Sequence, residues 1–210
     1  MRRIAVVVGL CALLLPMAAW ADGIDLTNQF GTVTISNSGI STIGSELMSW
    51  GNIQASKGHS LGTVNFATGA FTSGGIWTGG TLSATGSTFN VVGVGLWAKK
   101  LTQQSQSPIA LFTGSFTGPI TWTMVSHTGK YAYVFTLSGD LYGMMYTGRN
   151  VTGNTTQTIV AYQNQWYKDG KGGIRLGGTT LNTPEPGTLV LFGTGLIALA
   201  GTVRRKLFRS

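Results

Sequence analysis

The chain has 210 residues, 32 of them glycine, with 10% charged residues and a formal net charge of +8. Six of its fourteen basic residues sit at the two ends; between Asp22 and Thr183 there are eight Lys or Arg against five Asp or Glu, too small an excess to mark a nucleic-acid binder. The one cysteine, Cys11, lies near the N-terminus, so disulfides and cysteine-based metal or nucleophile sites are excluded from the rest.

Arg2 and Arg3 form a basic start, Ile4 to Met17 an apolar segment interrupted late by Pro16, and Ala19-Trp20-Ala21 a small-x-small cleavage signal. This is the order of a secretory signal peptide, residues 1–21, cut after Ala21. It implies the Sec translocon and signal peptidase as partners. Leu10 stands before Cys11 where a lipoprotein would have a small residue, so lipidation is not expected.

Residues 22–183 are rich in Gly, Thr and Ser, and apolar residues alternate with hydroxyl residues. Alternation with period two predicts strands. They are expected at Thr32–Ser36, Thr63–Ala67, Ala70–Thr72, Ile76–Thr78, Thr88–Val92, Ile109–Phe112, Ile120–Val125, Lys130–Leu137, Leu141–Met145 and Thr156–Tyr162. A break is expected at Gly139-Asp140. Trp166-Tyr167-Lys168 and Ile174-Arg175-Leu176 read as a hairpin about Asp169-Gly170. One short helix is expected between Gly44 and Ser56, where Glu46, Leu47, Met48 and Trp50 cluster. Lys99–Pro108 reads as a polar loop, and Asn150–Thr156 as a Thr/Asn-rich loop. Short strands with turn signals every 8 to 12 residues point to an all-β domain, a sandwich or jelly-roll-like barrel. The alternative is a β-solenoid, since Gly and Thr recur and Thr68-Gly69-Ala70-Phe71-Thr72 resembles Thr113-Gly114-Ser115-Phe116-Thr117.

The middle holds little catalytic chemistry. Its carboxylates are Asp22, Asp25, Glu46, Asp140 and Asp169; a glycosidase would have to pair Asp25 with Glu46, or Glu46 with Asp140, and neither pair is expected to form such a site. His59 and His127 lie in Gly/Ser/Thr-rich stretches read as turns, without a nucleophile elbow or zinc-ligand spacing. No catalytic residue, metal site or cofactor is expected. Five tryptophans, Trp50, Trp77, Trp97, Trp122 and Trp166, are read first as core. Trp166 and Tyr167, beside a predicted hairpin tip, are the candidate sugar-stacking pair.

The chain ends in Pro184-Glu185-Pro186, an uncharged apolar run from Thr188 to Val203, and Arg204-Arg205-Lys206 with Arg209 beyond. As a helix the run spans roughly 24 Å at 1.5 Å per residue, slightly less than a bilayer core of about 30 Å. Thinning of the bilayer or snorkelling of Arg204 and Arg205 would close the gap; a buried core helix is the alternative for a run of this length, and the basic cluster beside it favours the membrane. Basic clusters at both ends of the chain, each beside an apolar segment, set the same orientation and leave the middle outside the cytoplasm. Pro184 and Pro186 hold Glu185 in an extended, readable tripeptide.

This order of parts resembles the PEP-CTERM sorting signal of exported bacterial proteins; the resemblance covers residues 184–210, with Gly187 where Ser is usual. It implies recognition by exosortase, a membrane-embedded cysteine protease that cuts near Pro184-Glu185-Pro186. It also implies a diderm bacterium with a polysaccharide-rich surface, and exopolysaccharide as a partner. The expected protein is a non-enzymatic structural or adhesive protein, passing through the inner membrane to the cell surface or matrix. The alternatives are a permanently anchored envelope protein and a secreted carbohydrate-binding or carbohydrate-active protein.

Overall fold

Most stretches in which Thr or Ser alternates with an apolar residue are strands with the apolar set turned inward, as in Thr32–Ser36 and Thr88–Val92, whereas Ile76–Thr78, expected as a strand, is the turn between two strands. A computed structural model describes residues 23–105, 107–128, 132–163 and 169–182. The expected signal peptide, Trp166, Tyr167 and everything from Thr183 onward, including the sorting tripeptide and the apolar run, lie outside the described residues. The strands are β1 (Gly23–Ser36), β2 (Gly39–Trp50), β3 (Ile53–Gln54), β4 (Gly62–Ala67), β5 (Phe71–Gly75), β6 (Gly79–Leu82), β7 (Thr88–Gly93), β8 (Ile109–Phe116), β9 (Ile120–Thr128), β10 (Ala132–Met145), β11 (Asn150–Gln163) and β12 (Gly170–Asn182), with one helix, α1 (Leu96–Thr102).

Every ladder among the described residues is antiparallel, and eight strands close a ring in the order β1-β2-β4-β7-β8-β10-β11-β12. That is their chain order, so the domain is an up-and-down barrel, closed by β1 against β12. The all-β expectation holds; the expected stacking of two sheets, and the solenoid alternative, give way to closure. The phrases around Phe71 and Phe116 are not a repeat: one enters β5, the other ends β8. Gly23–Thr183 is one compact unit.

Four strands lie outside the ring: the two-residue β3 pairs with β2, and β9, β6 and β5 extend the sheet from β10. β10 is long enough to share one edge between two partners: Ser138 to Ala132 pairs with β9, and Leu141 to Met145 with β8. β6 pairs with the far side of β9, and β5 with β6. The expected break at Gly139-Asp140 is therefore the hand-over point within one continuous strand. Gly139 is there for packing, since a Cβ would lie 2.7 Å from the Phe116 ring.

The interior has two chemistries. Phe66, Phe89, Phe112 and Phe116, on β4, β7 and β8, form an aromatic half, with Phe66 stacked on Phe89 at 6.0 Å and Phe116 edge-on to Phe89 at 6.1 Å. The other half, on β1, β2, β11 and β12, carries a buried polar network. Asn28 Nδ2 donates to Ser45 Oγ (2.8 Å) and Gln157 Oε1 (2.9 Å). Gln157 Nε2 donates to Asn28 Oδ1 (3.2 Å) and Thr155 Oγ1 (2.9 Å), and Thr155 shares a 2.8 Å hydrogen bond with Thr179. Gly177 sits between Asn28 and Gln157 on the intervening strand. Having no side chain there, it lets the two amides meet across it.

Both openings are sealed. At one, α1 places buried Ala98 against the core, and Trp97 Nε1 donates to Leu61 O at 2.9 Å. At the other, the β5–β6 tip brings buried Ile76 and half-buried Trp77 onto Trp122, Tyr133 and Phe135. Trp122 stacks on Phe135 at 4.2 Å, and its Nε1 donates to Ile76 O at 2.8 Å.

Other expectations are corrected by the same closure. Gly44–Ser56 is not helical: Ser45, Leu47 and Trp50 point inward from β2, so barrel burial overrides the helix-forming character of Glu46, Leu47 and Met48. Within Lys99–Pro108, Lys99 to Thr102 belongs to α1. Asn150–Thr156 is strand, with Val151 and Thr155 inside. Gly170 begins β12 and pairs with Gln163, so Asp169-Gly170 is not the centre of a two-residue turn.

Candidate functional site

Because the ring has eight strands in up-and-down order, the first and last strands meet with their free ends at one rim. Gly23 pairs with Asn182, and Ile24 with Leu181. In the sequence only Thr183 separates Asn182 from Pro184. The segment carrying the sorting tripeptide thus follows directly on a ladder position, opposite the first residue of β1.

The outer face next to this rim carries a second feature. Outward-facing residues on neighbouring strands, exposed or half-buried, stand in register as rows. One row runs Thr81, Thr121, Ser138 and Thr156, and continues through Gly178 to Thr27 and Ser49. The next runs Asp140, Asn154, Thr180 and Asp25; the third Tyr142, Thr152 and Asn182. Thr117 N donates to Asp140 O at 3.0 Å, so the Thr117-Gly118-Pro119 turn stands beside the hand-over point on β10.

Three shallow depressions lie end to end. The first, about 390 Å³, is lined by Thr81, Thr121 and Trp122 among others. The second, about 260 Å³, shares Thr121 and adds Ser138, Asp140 and Asn154. The third, about 340 Å³, shares Asp140 and Asn154 and ends at Tyr142, Thr152 and Asn182. Four strand spacings from β6 to β12 give the trough a length of roughly 19 Å. Its lining contains hydroxyls, an amide pair, one carboxylate and the half-exposed Tyr142 ring, and no Lys or Arg. Such a surface offers hydrogen bonds and an aromatic platform to an uncharged, hydroxyl-rich ligand.

The sequence-predicted residues are dispersed. Asp25 is exposed and accepts from Thr180 Oγ1 at 2.6 Å; Asp140 lies three strands away, roughly 14 Å, wider than the separations used by glycosidase pairs. Glu46 pairs with Gln29, four residues further along β1 than Asp25. His59 is in the turn before β4, whereas His127 is on β9 rather than in a loop, its ring stacked on Tyr133 at 4.4 Å. Among the described residues no group of three His, Cys, Asp or Glu could hold a metal ion. Trp50 and Trp122 are core, and Trp77 and Trp97 pack against it. The sugar-stacking pair Trp166 and Tyr167, the cleavage residues Ala19 and Ala21, the tripeptide Pro184, Glu185 and Pro186, and the basic Arg204, Arg205 and Lys206 all lie outside the described residues. Among the described residues no helix is long and apolar enough to cross a membrane. Sequence reasoning missed the trough, because its members are single hydroxyl and amide residues from five strands; only the register aligns them.

A model of the PEP-CTERM protein-sorting motif matches residues 182–206. The match begins on the last residue of β12 and runs through the tripeptide, the apolar run and Arg204-Arg205-Lys206. It supports an exported protein sorted by exosortase, with a membrane-associated C-terminus before export. No curated protein and no solved structure matches the chain.

Proposed function

We propose that the chain is a non-enzymatic adhesive protein of a bacterial surface or matrix, whose barrel holds a neutral polysaccharide in the outer trough after exosortase has cut the tail near Pro184-Glu185-Pro186. The observation that carries the sorting part is the PEP-CTERM motif directly after β12. The adhesive part is supported by the trough, where hydroxyls of Thr121, Ser138 and Thr156, the Asn154 amide and the Tyr142 ring face solvent with no basic residue beside them. One carboxylate, Asp140, lines it where glycoside hydrolysis uses two, which favours holding over cutting.

The mass of the protein from its native host tests the processing. Mature material lacking the segment after the tripeptide supports it; material ending at Ser210 throughout would make the chain a permanently anchored envelope protein. Replacing Pro184, Glu185 and Pro186 with Ala should strand the protein in the inner membrane fraction, and unchanged release of that variant would defeat the sorting assignment.

A further inference from the structure

We infer that the rim from which the tail leaves is a membrane-docking face, fitted to an anionic phospholipid surface. The inference rests on the reading above that the tail enters the bilayer. In the up-and-down ring, the connections of residues 51–61, 94–108 and 146–149 share one end of the barrel with Gly23 and Asn182. Backbone hydrogen bonds tie two of them to one another and to the start of β1: Val94 N donates to Leu61 O at 2.9 Å and Gly51 N to Asp25 O at 2.7 Å.

These three connections carry Lys57, Lys99, Lys100 and Arg149 and no Asp or Glu. That is half of the eight basic residues between Asp22 and Thr183. The described carboxylates closest to these connections along the ladders lie on the outer wall: Asp25, held by Thr180, and Glu46, opposite Thr63 on β4. On α1, Trp97, Ala98 and Leu101 face the core. Leu96, Lys99 and Lys100 stand at i, i+3 and i+4 and so share the other face. Leu96 is 84% exposed and Val94, just before the helix, 38%. An exposed Leu flanked by Lys is the arrangement of an interfacial segment: the Leu enters the acyl boundary while the Lys stems reach the phosphates.

Chain length brings this face to the membrane. Five residues, 183–187, separate Asn182 from the apolar run at Thr188. Fully extended they span at most about 18 Å. The rim is thereby held near the headgroups at high effective concentration, so weak contacts suffice to dock it. Docking would keep Pro184-Glu185-Pro186 at headgroup level, where a membrane-embedded protease works.

The test uses the full chain with Cys11→Ser and Val94→Cys, an environment-sensitive fluorophore on residue 94, and phosphatidylcholine vesicles with or without phosphatidylglycerol. Flotation that is lost on deleting residues 188–203 reports tail insertion; quenching of the fluorophore by lipid-borne quencher reports docking. The expected result is flotation with both vesicles, quenching only with phosphatidylglycerol, and loss of quenching in high salt. Each basic residue near an anionic surface counts for about five-fold. Converting Lys57, Lys99, Lys100 and Arg149 to Gln should therefore lower the docked-to-undocked ratio by roughly 600-fold. A chain that floats with an unquenched label, or a quadruple variant quenched like its parent, overturns the docking face and leaves the anchored tail intact. A chain that does not float removes the premise and the docking face with it.

Discussion

Replacing Gly177 with Ala should damage the barrel at its closing seam far more than one methyl suggests. Gly177 is on β12, with Asn28 opposite it on β1 and Gln157 opposite it on β11. A Cβ on Gly177 would lie 2.0 Å from Gln157 Oε1 and 2.2 Å from Asn28 Oδ1, so the two amides must part. Overpacking of this kind costs about 1–3 kcal/mol. The two Asn28–Gln157 hydrogen bonds, both buried, would also be broken. Each leaves polar atoms short of a partner at about 1 kcal/mol or more. The expected loss is about 3–5 kcal/mol, a large share of a typical domain stability of about 5–15 kcal/mol. Urea unfolding followed by tryptophan fluorescence measures it, Trp122 being a buried reporter. In an Asn28→Ala, Gln157→Ala background both obstructing side chains are gone, and the Gly177→Ala penalty should fall below about 1 kcal/mol. A single variant within about 0.5 kcal/mol of the parent, or the same penalty in both backgrounds, would refute the reasoning.

Trp122→Ala removes a fully buried ring and leaves Ile76 O without its donor, and should cost about 3–5 kcal/mol in the same assay. Tyr142→Ala with Asp140→Ala should weaken retention on a neutral polysaccharide column without lowering the melting temperature, since both side chains are exposed; unchanged retention counts against the trough. Replacing Arg204, Arg205 and Lys206 with neutral residues should loosen cytoplasmic retention of the tail, read by protease access to a C-terminal tag. A tag that stays protected contradicts the orientation.

The class of the fold is legible from residues such as Thr32–Ser36 and Thr88–Val92, because a strand with one buried face writes its period directly into the chain. Closure is not legible. Whether strands form a sandwich or a ring depends on Gly23 meeting Asn182 across the whole length, and no local residue encodes that pairing. Gly139 and Gly177 show how glycine misleads: as turn residues they would end strands, but here they lie within them because a phenyl ring and an amide pair need their space. Glu46, Leu47 and Met48 favour helix individually, and the neighbouring strands decide otherwise. Of the functional features, the sorting segment is readable because its parts are contiguous. The trough and the basic rim are assembled from separate strands and loops, and they appear only when register and topology are known.

The pairing of β1 with β12 also sets an order of events in time. On the N-terminus-first export that the expected signal peptide implies, β1 is the first strand outside and its closing partner the last. Until β12 arrives, the edge of β1 that will take residues 170–182 stays open to water and to other chains. The ring can close only when Asn182 has crossed, which is when the Pro184-Glu185-Pro186 segment is next in line. Completion of the barrel and entry of the sorting segment are thus consecutive steps. A chain stalled short of its last strand would present an unfinished sheet, with no sorting signal yet to release it.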